Sequence, residues 1–386
     1  MDRDSKTVRS PYSDEKKVKS PSRGNAATYI VGFVLALIIV FTLFDPAKER
    51  LGLPTFAAIL LYWAMILIFF LIGIVLHSVG KLVMSLLSGY RVLVFTAGPL
   101  CFVRERGKFV RKELPTVFSF GQCIMAPPRA DTPEQAKYFW CYFGGAFFEI
   151  VCAALCGLAV VISGDPVVRW ILSAGAFTFV ILSMTFLIPS KKGVPNEGEY
   201  LRILSKDPQA RVIDNHILVI SGLEADGVKT GDMPDELFAG ADVNGVVPYC
   251  SMASLKASYL MMRGEYEQAH EMLEELLKNP AVEAHSALRT KVRSSLACCL
   301  MMLGREPQRV EELLDEMTIR RVKAVSEYSA AELRCLYMQA LISKKDPAGA
   351  EMIFVQATGM KNKILCLTDY EEEMALMQKL RAEANK

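Results

Sequence analysis

Charge is scarce in this chain. Asp, Glu, Lys and Arg make up 22% of its 386 residues, and 44 basic against 42 acidic side chains leave a net charge of only +2. A soluble domain averages about a quarter charged and distributes its apolar residues periodically. Here 52% of the residues are hydrophobic, the mean hydropathy is +0.26, and the apolar residues crowd into the first half. That excludes a simple cytosolic enzyme, and equally a disordered, collagenous or small disulfide-stapled chain. So even a charge balance also argues against a nucleic-acid partner. No Cys-x-x-Cys pair occurs among the ten cysteines, so a cysteine zinc site is not expected. Cys141, Cys152 and Cys156 fall in an apolar run and five others in the polar second half, where a reducing compartment keeps them as thiols acting as small hydrophobes.

Four segments are long enough to span a bilayer, which takes about 20 apolar residues. They are Ala27–Phe44, Leu51–Gly80 (helical core about 55–80), Tyr138–Ile162 and Trp170–Pro189, and together they carry one formal charge, Glu149. The first is not a cleaved leader, because 26 polar residues precede it and no small-residue cleavage site follows. Nineteen Lys and Arg lie in residues 1–26, 88–137 and 190–206, against three (Lys48, Arg50, Arg169) in the two remaining loops. The positive-inside rule then puts both termini in the cytoplasm, as expected for a protein of a bacterial cytoplasmic membrane.

From about residue 200 the composition turns polar. Residues 200–244 read as a linker, and 245–386 as an all-α cytoplasmic domain. Arg263-Gly264-Glu265-Tyr266-Glu267-Gln268-Ala269, closed by Asn279-Pro280, resembles the tetratricopeptide helix-turn-helix repeat. A weaker copy follows at Leu303-Gly304, and Glu332 to Met360 reads as a third helix pair. An ordinary antiparallel helical bundle explains the same pattern. His216, His270 and His285 all fall in this half, where surface positions are the default, and none has zinc-ligand spacing.

The chemistry-bearing residues are in the membrane half. The second span ends in His77-Ser78-Val79-Gly80-Lys81. Gly89 to Phe95, Gly98-Pro99 and Cys101 to Val110 read as β-strands over about 91–112, with a tight turn at Arg106-Gly107. Gly121-Gln122-Cys123-Ile124-Met125-Ala126-Pro127-Pro128 follows, then Gly144-Gly145 in the third span and Val194-Pro195-Asn196-Glu197-Gly198 after the fourth. This series, over about 70–240, resembles the site-2 protease family of intramembrane zinc metallopeptidases. The resemblance implies a His-Glu-x-x-His helix in the membrane, a β-hairpin, a Gly-Gly span and a Pro-Asn-Asp-Gly-like turn whose Asp is the third zinc ligand.

The departures from that pattern carry the functional expectation. Two His at i and i+4 share one helix face and hold a zinc, while the intervening Glu activates its water. Here His77 keeps the first ligand position, Ser78 replaces the catalytic Glu, Lys81 replaces the second His, and Glu197 stands for the Asp. Glu149 sits where the family often has Asn. A catalytic zinc takes three protein ligands plus water. His77 and Glu197 supply two, so no cofactor is expected. Charges at membrane depth are costly and usually paired. Lys81 therefore either snorkels to the headgroups or replaces the metal cation, with Glu149 or Glu197 as counter-ion.

These readings describe a helical membrane protein: a basic tail (1–26), a membrane core (27–199), the linker and the helical domain. Such a chain is expected to be a pseudoprotease that binds a transmembrane segment or extended peptide and recruits a protein partner through its tail. An atypical zinc metalloprotease and a structural scaffold are the alternatives. The basic hairpin reads either as an edge for strand addition or as a surface hairpin held to lipid by Arg104, Arg106, Lys108 and Arg111.

Overall fold

The computed structural model describes residues 43–97, 100–113, 123–190 and 195–384. The expected first span and the basic tail before it lie outside these residues, apart from a helical stretch α1 over 43–51. Among the described residues three helices are long and apolar enough to cross a membrane: α2 (Thr55–Leu87), α3 (Phe139–Ile162) and α4 (Pro166–Leu187). Pro54 in extended conformation starts α2, and Gly89 at φ 90° lets the chain turn at its end. At 1.5 Å per residue α2 is about 50 Å long, more than the roughly 30 Å of a hydrocarbon layer, and Lys81 lies about 39 Å along it. Asp165 caps α4 by accepting from the backbone N–H of Val167 (2.8 Å) and Val168 (3.1 Å), so α3 and α4 form a tight hairpin.

The three helices approach closely where side chains are absent. A Cβ at Gly80 would lie 2.7 Å from the Gly144 carbonyl, and one at Gly144 would lie 2.7 Å from Met84. Small residues of this kind let membrane helices pack on their backbones. At the opposite end Tyr62 stacks on the fully buried Trp170 with ring centroids 5.5 Å apart.

The expected hairpin is part of a four-stranded antiparallel sheet: β1 (Arg91–Ala97), β2 (Leu100–Glu105), β3 (Lys108–Arg111) and β4 (Cys123–Ala126), in the order β3-β2-β1-β4. Arg106 and Gly107 have φ of 47° and 83°, the left-handed pair that a two-residue hairpin turn requires. The Gly98-Pro99 and Gly121-Gln122 pairs lie outside the described residues. Of the four basic residues named for the surface-hairpin reading, Lys108 and Arg111 are exposed, while Arg104 and Arg106 pair within the protein. Arg104 faces Asp226 at 3.7 Å and Arg106 bonds Glu371 at 2.5 Å, both carboxylates of the polar half.

Residues 200–244 are not a linker. They hold most of α5 (Glu197–Lys206), α6 (Pro208–Asp226) and two 3-10 turns, and they bury Ile203, Leu204, Ile213 and Ile220. Those residues belong to one core that runs from Tyr90 and Met125 into the polar half. The rest is helical: α7 (Val247–Met262), α8 (Tyr266–Leu277), α9 (Pro280–Ala284), α10 (Ser286–Leu303), α11 (Pro307–Leu313), α12 (Glu316–Ser326), α13 (Ala330–Met338), α14 (Pro347–Thr358) and α15 (Leu367–Ala384). A π turn, Gln339–Ser343, follows α13. Asn279 starts α9 by accepting from Ala281 N–H at 2.7 Å. The last helix docks back on the membrane-proximal layer: Thr368 Oγ1 donates to the Glu224 carbonyl at 2.7 Å, and Glu372 accepts from Thr230 N–H at 2.9 Å.

Candidate functional site

Helices α2 and α3 and the start of α5 bring four side chains together. His77 lies between two carboxylates, with Nδ1 3.3 Å from Glu149 Oε1 and Nε2 3.2 Å from Glu197 Oε2. Lys81, one turn further along α2, donates to Glu197 Oε1 at 2.8 Å. Glu149 is completely buried, whereas the Lys81 and Glu197 side chains keep 20% and 14% exposure. The contact to Nδ1 is at ion-pair distance but out of line for a hydrogen bond, and both Glu149 oxygens lack a hydrogen-bond donor.

Each neighbour of this cluster has a local cause. Gly145 is needed because a Cβ there would lie 2.5 Å from His77 Cε1. Phe186 from α4 covers the imidazole, with ring centroids 3.8 Å apart. In the Pro195-Asn196-Glu197-Gly198 turn, Asn196 caps α5 through Glu199 N–H at 3.1 Å. Its amide nitrogen donates to the Thr185 and Ile188 carbonyls at 3.0 and 2.6 Å, which ties α5 to the end of α4. Gly198 packs against the Leu187 backbone so closely that any Cβ would collide with the Leu187 carbonyl. The turn therefore aims Glu197 back at α2. Burial raises the Glu197 carboxyl, but Lys81 and then His77 outweigh it and hold the group down to about 2.

Ser78 takes no part in this cluster. Its side chain is buried and donates to the Ile74 carbonyl of its own helix at 3.2 Å. Behind Lys81 stands a layer that the sequence did not single out. The ammonium lies 5.8 Å from the Tyr142 ring centroid. Tyr142 stacks on Tyr200 and donates its hydroxyl to the Asp214 carboxylate, with 2.9 Å to each oxygen. Burial pushes Asp214 up to about 7, against the Tyr142 hydrogen bond. Two of the histidines taken as surface residues are buried. His216 Nε2–H donates to the Ala130 carbonyl at 3.1 Å, and His285 is 7% exposed at the start of α10.

The donor set does not fit a three-ligand zinc site. His77 Nε2 and Glu197 Oε2 have the separation of two ligands on one tetrahedral ion, about 3.4 Å at normal zinc distances. The position for a third donor from the same helix face is an ammonium already bonded to Glu197. Glu149 faces the other ring nitrogen, so it diverges from any ion at Nε2. Among the described residues no group of three or more His, Cys, Asp or Glu converges as metal ligands. An ammonium bonds a carboxylate strongly where water is scarce, so Lys81–Glu197 is an ion pair within a largely buried polar cluster. Comparison with known protein families, curated proteins and solved structures returns no match.

Proposed function

We propose that the chain is a non-catalytic relative of the site-2 proteases, a pseudoprotease in which Lys81 takes the place of the catalytic cation. The observation that carries this reading is the 2.8 Å Lys81–Glu197 bond, formed between the helix position of a missing histidine and the turn position of a zinc-ligating aspartate. Ser78, which spends its hydroxyl on its own helix, puts no carboxylate at the position of the family's general base. Four spans, with the first over 27–44, and a tetratricopeptide-like tail complete the architecture. The polarity, glycines and turn of the site serve packing and client binding in this reading.

The client is a transmembrane segment or an extended peptide. β3 is an edge strand of the sheet, and Lys108, Phe109, Val110 and Arg111 are all exposed, which suits strand addition. The helical tail offers the surface for a protein partner. A photocrosslinking amino acid at Val110 in native membranes tests the function. The expected adduct is an intact membrane polypeptide, unchanged in amount by chelators. Recovery of shortened client fragments that disappear on zinc removal would restore the atypical metalloprotease.

In this reading the basic asymmetry argues for a cytoplasmic sheet and cytoplasmic termini, with residues 45–53 and 163–169 outside. A cysteine introduced at Arg106 should resist a membrane-impermeant thiol reagent in intact cells, and one at Gly164 should react. Strong labelling at 106 would reverse the topology.

A further inference from the structure

A cavity of about 750 Å³ lies in the polar half, bounded by α6, α7, α10, α12, α13 and α15. That volume falls within the range of about 300–1,000 Å³ typical of small-molecule sites. It is separate from the His77–Lys81 cluster and does not depend on how that cluster is interpreted.

Its charges are unequal. Glu224, Glu332, Asp369 and Glu373 line it, with Glu372 against the Thr230 backbone at the wall. Lys291, Arg321 and Arg334 are the basic side chains facing them. Arg334 and Glu373 stand 2.8 Å apart with side chains only 5% and 2% exposed. The pair is nevertheless out of line: Arg334 Nε and Nη1 donate no hydrogen bond and Glu373 Oε2 accepts none. Buried polar atoms left in this state are costly, and their presence at a cavity wall points to a missing partner. Burial and then the Asp369 charge push Glu224 up to about 7, and burial and then the Glu332 charge push Asp369 up to about 6.

The hydroxyls point the same way. Ser221, Ser258, Thr290 and Ser294 line the cavity, and each donates its hydrogen to a carbonyl of its own helix, those of Ile217, Ser254, Ser286 and Lys291. What they leave to the cavity is acceptor capacity. The wall is therefore rich in acceptors and negative charge, with a buried guanidinium short of an acceptor. A ligand that matches has several N–H donors on a positive group and a carbonyl or carboxylate elsewhere. A bare metal ion does not match, since the carboxylates among the described residues do not converge as a ligand set.

We propose that this cavity binds a basic amino-acid unit, with its ammonium or guanidinium group against Glu224 and Asp369 and its carbonyl or carboxylate toward Arg334. The unit is either a free cationic amino acid or a basic residue of a peptide, because both present the same groups. Titration calorimetry on the full chain in lipid nanodiscs tests this with L-arginine, L-lysine and the capped dipeptide acetyl-Lys-Lys-amide, against norleucine and glutamate. Saturable heat is expected with at least one basic probe and with neither control. Binding of the free amino acids identifies a metabolite site, and binding of the dipeptide alone identifies a peptide site. Glu224→Gln with Asp369→Asn should weaken binding at least tenfold. The melting temperature should stay unchanged or rise, because the substitutions remove repulsion and leave the Arg334–Glu373 pair intact. Ser221→Ala with Ser258→Ala, which changes no charge, should weaken it several-fold. Absence of saturable binding by every basic probe, equal binding of norleucine, or full affinity in the Glu224/Asp369 variant would overturn the proposal.

Discussion

Lys81→Ala is expected to destabilise the membrane half by about 3 kcal/mol, the lower end of the range for breaking a buried ion pair, because both partners retain some exposure. The loss arises from the partner left behind. Glu197 would remain in a largely buried site with only His77 at 3.2 Å to balance it. Lys81→Ala combined with Glu197→Gln should therefore recover part of the stability. The combination with Glu149→Gln should not, because Glu149 faces the far nitrogen of His77. Unfolding of the detergent-solubilised protein by graded denaturant reads all three variants on one scale. A Lys81→Ala protein as stable as the parent would show that the ammonium merely snorkels, and that the 2.8 Å bond contributes nothing net.

Ser78→Glu with Lys81→His is expected to convert the site into a zinc site. Histidines at 77 and 81 share one face of α2, and the 3.2 Å separation of His77 Nε2 from Glu197 Oε2 is already close to what two ligands of one ion need. The variant should take up about one zinc per chain. Zinc at about a hundred times its dissociation constant should then stabilise it by about 2.7 kcal/mol, while the same zinc leaves the parent unmoved. Thermal unfolding with and without zinc measures this. The backbone carries the test: failure to bind would mean that Glu197 is not poised as a ligand and that the turn at Pro195 has drifted from a metal-binding geometry.

What the sequence makes legible here follows from the range of each signal. Long apolar runs with very few charges reveal α2, α3 and α4, because the requirement for apolar side chains extends along the run. The Arg106-Gly107 turn is legible because only a few residue types accept its positive φ values. The meeting of His77, Glu149 and Glu197 is an expectation that only the resemblance to the site-2 protease pattern supplies. The choice between Glu149 and Glu197 as partner of Lys81 is not legible, because it depends on which way α3 and the start of α5 face α2. The Asn196 bonds to Thr185 and Ile188 decide that in the fold, and no local pattern announces them.

The polar half shows the opposite balance. Its helices follow from their periodicity and caps, but its extent does not. Residues 200–244 look like a linker because short polar stretches separate their apolar positions. Their buried residues Ile213 and Ile220 belong to the same core as α15, far along the chain. His216 and His285 are buried for the same reason: tertiary packing covers them, and a lone histidine carries no sign of it. The Tyr142–Asp214 bond behind Lys81 joins residues 72 positions apart and left no motif to find.

The replacement of the metal cation by Lys81 is tested most directly by the zinc content of the purified full-length protein. The chain is purified in detergent without chelator, incubated with excess zinc, desalted, and analysed for metal per mole of protein. Far less than one zinc per chain, with no change in thermal stability on adding a chelator, is the expected result. One tightly held zinc per chain, lost together with stability when His77 or Glu197 is substituted, would contradict it.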